Sequence, residues 1–188
     1  MRPGVVWLVA MIGWAGMPAG CSTGDRGSSP ELVAPGVGEP FTAVRLSGDR
    51  PSLVWVFAVE QCLGCGLGDP ARVVRGLQRS LGPGLETVAV AVGDRRDGDR
   101  RIVSGFLASQ RITARVELHS REQHMREFGA APLSIFYVVN RNSVVEAGVT
   151  TDSVETWQSA RGQLNLAEFI ARLAEQGVEQ NEKGTGKM

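Results

Sequence analysis

The sequence predicts an α/β domain built on a mixed central sheet with helices on both faces. Three observations carry this. Ser52–Val59, Thr87–Val92 and Leu133–Val139 are almost continuously apolar, the pattern of strands covered on both faces. Between them lie segments with apolar residues at helical spacing. The last apolar run is followed by a turn signal, Asn140-Arg141-Asn142-Ser143, and by Val144-Val145, so the chain closes with a hairpin. Parallel strands joined by helices, then a hairpin and a final helix, give the predicted architecture.

The first twenty residues stand apart. Arg2 supplies a short positive region, Val5 to Ile12 an apolar one, and Met17-Pro18-Ala19-Gly20 leads to Cys21. The run is short, Gly-broken and ends in small residues, as an export signal does. Ala19-Gly20-Cys21-Ser22 resembles the lipobox of bacterial lipoproteins, with Pro18 where that motif usually has Leu. The resemblance implies that Cys21 is lipidated and becomes the mature N-terminus, and that the domain is held at a membrane outside the cytoplasm, on the periplasmic side or the cell surface. The expected organisation is a signal peptide over 1–20, a Gly/Ser/Pro-rich tether over 21–35, a folded domain over 36–178 and a disordered tail over 179–188.

Within the domain, Gly38 to Leu46 alternates and contains Pro40, which suggests an edge strand. Val73, Val74, Leu77 and Leu81 mark one helix; Ile102, Val103, Phe106 and Leu107 mark another. Ala114 to Leu118 is a short strand, and Arg121 to Phe128 a polar helix closed by Gly129. Leu164, Ala167, Phe169, Ile170 and Leu173 define the last helix. Trp55 and Trp157 are assigned to packing. Acidic and basic residues balance at 20 each, which gives no electrostatic basis for nucleic-acid binding.

Cys62-Leu63-Gly64-Cys65 follows directly on the first apolar run. A C-x-x-C can close a small disulfide ring or supply half of a metal site. Of the three cysteines, lipidation of Cys21 would leave Cys62 and Cys65 as a pair, and an exported pair meets an oxidising compartment. If a helix begins at Cys62, its dipole and free N–H groups stabilise a thiolate there. Asp69-Pro70 offers a second start, with Asp69 as N-cap and Pro70 at the first helical position, so that the helix would begin at residue 70. Gly64, Gly66 and Gly68 would then lie in a loop, and Cys62 would have a more ordinary acidity.

The chain resembles the thioredoxin superfamily, and within it the membrane-tethered thiol–disulfide oxidoreductases of the TlpA/ResA type. The resemblance spans most of residues 38 to 176. It rests on Gly38-Glu39-Pro40-Phe41, on the apolar strand leading into C-x-x-C, on Pro70 five residues after Cys65, where the family commonly has the proline that kinks its active-site helix, and on Phe128-Gly129-Ala130-Ala131-Pro132 before an apolar strand. It implies a thioredoxin-like fold and a catalytic set of Cys62, Cys65 and Pro132. The proline would be cis and packed on the disulfide, and the Ala131 backbone would pair with an extended substrate segment. It implies protein thiols and disulfides as partners, with an upstream redox partner, and neither cofactor nor metal. Gln61 stands where the family often has Trp. Val56 stands where many members carry a buried acid, which leaves Glu60 as the nearest carboxylate.

Two other readings share the motif. A Sco-type copper module would draw a third ligand from His119, His124 or Met125, but its cysteines are one residue further apart and a histidine replaces the proline. Both histidines lie on a polar segment and are expected at the surface. A structural disulfide in a non-catalytic lipoprotein is the other. The peroxiredoxin pattern Pro-x-x-x-Thr/Ser-x-x-Cys is missing around both cysteines.

Overall fold

A computed structural model describes residues 35–184 except Arg95, Glu155 and 160–163. The expected export signal, the lipidation site expected at Cys21 and the expected tether up to residue 34 therefore lie outside the described residues. Among the described residues, five strands form one sheet: β1 Ser52–Ala58, β2 Glu86–Val92, β3 Arg115–His119, β4 Ile135–Val139 and β5 Val145–Thr150. Four α-helices accompany them: α1 Gly68–Leu81, α2 Arg96–Ser109, α3 Arg121–Phe128 and α4 Leu166–Gly184. The strand order is β3-β2-β1-β4-β5. β1, β2 and β3 run parallel, while β4 and β5 are antiparallel to their neighbours. The sheet is mixed, as the sequence predicts.

β1 occupies the centre because it has no polar face to offer water. Leu53, Trp55 and Phe57 point to one side, where Ala71, Val74 and Leu77 of α1, Val103 and Leu107 of α2, and Leu166 and Ile170 of α4 cover them. Trp55 is fully buried against Phe57 and Phe136, with ring centroids at 4.6 and 5.7 Å. Trp157 packs edge-on to Phe169 at 5.3 Å. Val54 and Val56 point to the other side, toward Val88, Val90, Tyr137 and Val139. That face is closed by Phe128 at the end of α3 and by Phe41 and Val44 of the opening segment. Helices thus cover both faces, three on one and one on the other.

The opening segment is not an edge strand. It makes a single bridge, Pro40 to Val144, flanked by hydrogen bonds from Gly38 N–H to Val145 C=O (2.8 Å), from Val145 N–H to Glu39 C=O (2.9 Å) and from Phe41 N–H to Ser143 C=O (2.6 Å). Pro40 has no N–H for a ladder, Gly38 turns the chain at φ 89°, and Phe41 dives into the core against Phe128 and Tyr137. The hairpin between β4 and β5 is built as expected. The Asn140 side-chain oxygen accepts from Asn142 N–H (2.9 Å) and Val144 N–H (3.0 Å). At the C-terminus α4 stays helical through Gly184, so it takes up part of the segment expected to be a disordered tail. Glu179, Gln180, Glu182 and Lys183 are adequate helix formers, and nothing stops the helix before Gly184. Among the described residues no helix is long and apolar enough to cross a membrane.

At the end of the sheet far from the cysteines, Glu86 ties the turn before β1 to β2. One of its oxygens accepts from Ser47 N–H (2.9 Å), Ser47 Oγ (2.8 Å) and Ser52 Oγ (2.8 Å). The other lies 3.6 Å from the Arg115 guanidinium. Burial pushes this carboxyl up, but the hydrogen bonds from Ser47 and Ser52 and the charge of Arg115 hold it below the ordinary range on balance. A carboxylate with a depressed folded pKa adds stability above its unfolded value and loses it as pH falls through the folded one. Thermal melts should therefore show Glu86→Gln less stable than wild type at pH 7, by about 1–3 kcal/mol. The gap should close on acidification below about pH 4; a gap constant with pH would contradict the assignment.

Candidate redox site

The strand β1 ends at Ala58, and its continuation is not an α-helix. Val59–Leu63 forms one 3-10 turn and Cys65–Leu67 another. They are separated by Gly64, which is extended at φ −117°, ψ −173°. The α-helix begins only at Gly68, six residues after Cys62, and Asp69 and Pro70 fall in its first turn. The helix start lies clear of Cys62, but it is two residues ahead of the expected one at Pro70, with Leu67 and not Asp69 at the N-cap and no side-chain cap. Three glycines in five positions, Gly64, Gly66 and Gly68, make an uninterrupted helix from Cys62 expensive. Pro70 needs no kink, because the first turn has no N–H to lose at that point.

This removes the helix dipole from Cys62, since its influence fades within the first turn. Cys62 is a free thiol, half-buried against the core face that carries Phe57 and α1. Burial pushes its pKa up, and the negative charge of Glu60 adds to the rise, to about 12. Glu60 is exposed and paired to Arg121 at 3.4 Å; it opposes thiolate formation and is no substitute for a buried acid. Val56, at the position of that acid, is a fully buried core residue. Val59 anchors the turn from below. It packs over Gly93, where a Cβ would collide with the Asp99 carboxylate and the Val59 side chain.

The second half of the site is the segment from Gly129 to Ser134. No peptide bond among the described residues is cis, so the Ala131–Pro132 bond is trans, contrary to the expectation from the resemblance. The trans form is the more stable one for an isolated X–Pro bond. Here the chain reverses through Gly129 (φ 60°) and Ser134 (φ 117°). Pro132 is exposed and Leu133 is 36% exposed, while Ala131 is buried. The Ala131 N–H donates to Phe128 C=O at 3.2 Å, and its C=O faces His124 Nε2 at 3.3 Å. The backbone groups that the resemblance offers to a substrate are thus already occupied. Leu63, at the end of the first turn, is 73% exposed.

Gln61 joins the two halves. Its side-chain oxygen accepts from Ala58 N–H at 2.9 Å, and its Nε2 donates to Ser134 Oγ at 2.7 Å. Sequence reasoning registered Gln61 only as a missing aromatic. The signal that could have found this role was a long amide placed three residues after the end of a buried strand.

The residues considered for copper are not brought together with the thiol. His119 and His124 are buried, at 5% and 4% exposure, rather than on the surface. They pack on Phe128 at 5.9 and 5.3 Å, which belongs to the opposite face of the sheet from Cys62. α3 turns His124 inward because it lies four residues from Phe128 on one helix stripe, while His119, the last residue of β3, meets Phe128 from the sheet. His119 lies 3.3 Å from Glu127, and burial holds it below the ordinary histidine range although Glu127 pulls the other way. Met125 points outward, 42% exposed. Among the described residues no group of three or more His, Cys, Asp or Glu side chains could hold a metal ion.

No protein-family model matches the chain, and no curated protein is similar to it. Solved structures are. The chain is similar to a thioredoxin-like protein studied in its oxidised form, with 15% identity and a TM-score of 0.50 over 78% of this chain and 98% of that one. The fold is thioredoxin-like. A thiol:disulfide interchange protein of the thioredoxin family from Chlorobium tepidum aligns with 20% identity and a TM-score of 0.45, over 77% of this chain and 94% of that one. A secreted Mycobacterium tuberculosis disulfide oxidoreductase aligns with 12% identity and a TM-score of 0.44, over 68% and 82%.

The geometry predicts a sluggish thiol. In a Cys65→Ser background, alkylation of Cys62 by iodoacetamide should be slow at pH 7 and still rising about tenfold per pH unit beyond pH 9. Glu60→Gln should speed it at pH 8, because removing the negative charge lowers the thiol's pKa. A plateau below pH 8 would show a stabilised thiolate and contradict the placement.

Proposed function

We propose that this chain is an extracytoplasmic thiol–disulfide oxidoreductase that exchanges disulfides with protein substrates through Cys62 and Cys65. The observation that carries the reading is the seat of Cys62: a free, half-exposed thiol at the end of the central strand of a thioredoxin-like sheet, tied to the Pro132 segment by Gln61. Export and lipidation at Cys21 would hold the domain at a membrane, where its partners would be protein thiols and disulfides and an upstream redox partner.

In the reducing direction, Cys62 gives up its proton and its thiolate attacks one sulfur of a substrate disulfide. A mixed disulfide forms and the substrate's other sulfur leaves as a thiolate, which takes up a proton. The Cys65 thiolate then attacks the Cys62 sulfur, closing the Cys62–Cys65 disulfide and releasing the second substrate thiol. Two electrons pass from the pair to the substrate, and a dithiol partner must return them.

The site favours this direction. A pair becomes strongly oxidising when its reduced form is stabilised as a thiolate. Cys62 has neither a helix start beneath it nor a favourable charge beside it, since Glu60 repels the thiolate. Pro132 stands exposed at the substrate side. For Ala131 to pair with a substrate strand, its N–H would have to leave Phe128 C=O and its C=O leave His124.

Trapping tests the roles. Cys65→Ser should accumulate mixed disulfides with partner proteins, seen as reductant-sensitive bands on non-reducing gels, and Cys62→Ser should not. Equal trapping by both variants would sink the assignment.

A further inference from the structure

β1 pairs with β4 only as far as Val56 and Ile135. Ser134, the residue before β4, still reaches it, with its N–H on Val56 C=O at 3.1 Å. Two residues along β1, the Ala58 N–H points to the same neighbour. The β4 side has nothing to offer it, because the chain swings away at Ser134, where φ is 117°. Ser134 C=O turns instead to β5 and accepts from Thr151 N–H at 2.9 Å. The orphaned donor at Ala58 is taken by Gln61 Oε1 at 2.9 Å. The other end of the same amide donates to Ser134 Oγ at 2.7 Å. The stem of Gln61 runs beside the second turn: a Cβ on Gly66 would lie 3.9 Å from Gln61 Cβ.

One amide thus closes the gap at the top of the β1–β4 ladder. An amide suits the place because it carries an acceptor and a donor on adjacent atoms. It spans two backbone segments that no strand pairing connects, and those segments carry Cys62 and Pro132. We infer that Gln61 is a positioning residue, which clamps the Pro132–Ser134 segment to the turn bearing Cys62 and so sets how a protein disulfide is presented to that thiol. This rests on the exchange reading above.

Clamping matters for a substrate that must lie across both segments and not for one that needs the thiol alone. The test therefore compares two probes: insulin, a protein disulfide, and dithiobis-nitrobenzoate, a small aryl disulfide. Gln61→Met keeps the side-chain length and removes both hydrogen bonds; Ser134→Ala removes one. Each should lower the ratio of insulin rate to aryl-disulfide rate about tenfold. The double variant should be no lower than Gln61→Met, because the bond that Ser134→Ala removes is one that Gln61→Met has already broken. An unchanged ratio, or additive losses in the double variant, would overturn the inference.

Amide hydrogen exchange at Ala58 reads the clamp without any activity. Gln61→Met should lose protection there, and unchanged protection overturns the clamp whatever the rates. If wild type exchanges with neither probe while Ala58 loses protection in the variant, the exchange reading and the presentation role fall and the clamp alone stands.

Discussion

β1 is the constraint from which the rest of the structure follows. From Ser52 to Phe57 every residue is buried, so the strand must lie between two others and under cover on both faces. α1, α2 and α4 supply one cover; Phe41, Val44 and Phe128 supply the other. A strand so enclosed delivers the chain to the rim of the sheet at one fixed point, and Cys62 stands four residues beyond its end. The site is there because β1 ends there.

What happens at that rim sets the chemistry. An α-helix starting at Cys62 would supply a dipole and free N–H groups to the thiol. The glycines at 64, 66 and 68 break that start into two tight turns and hand the helix N-terminus to Gly68. Burial and Glu60 then both raise the thiol's pKa. In the proposed exchange, a thiol so placed would hold its proton and the pair would tend to give up electrons.

Much of the frame was legible in the sequence. β1, β2 and β4 announce themselves as apolar runs, because strands buried on both faces have no polar alternation to hide behind. The bounds expected for α3, Arg121 to Phe128 closed by Gly129, are the ones the chain adopts; its N-cap, Ser120, whose Oγ accepts from Gln123 N–H at 3.1 Å, was not read from the sequence. The misses have physical causes. Gly38 to Leu46 reads as a strand, but Pro40 lacks a donor and Phe41 is drawn into the core, so only one bridge forms. His119 and His124 sit among charged residues and look exposed; their burial comes from the way α3 folds onto the sheet, a tertiary fact invisible to local pattern. The bond before Pro132 is trans, and Ala131 is bonded to Phe128 and His124, neither of which sequence spacing reports. Gln61 carries a role that depends on a residue 73 positions away.

The central claim is that the Cys62–Cys65 pair is a reducing one because its first thiol lies outside the helix that would stabilise it. The reduction potential of the pair, measured by equilibration of the full chain with glutathione or dithiothreitol buffers, tests this most directly. The account predicts a value between about −200 and −300 mV. A value near about −120 mV would mean a stabilised thiolate and an oxidising pair, contradicting the placement of Cys62. One below about −300 mV would mark a structural bridge instead of an exchanging one.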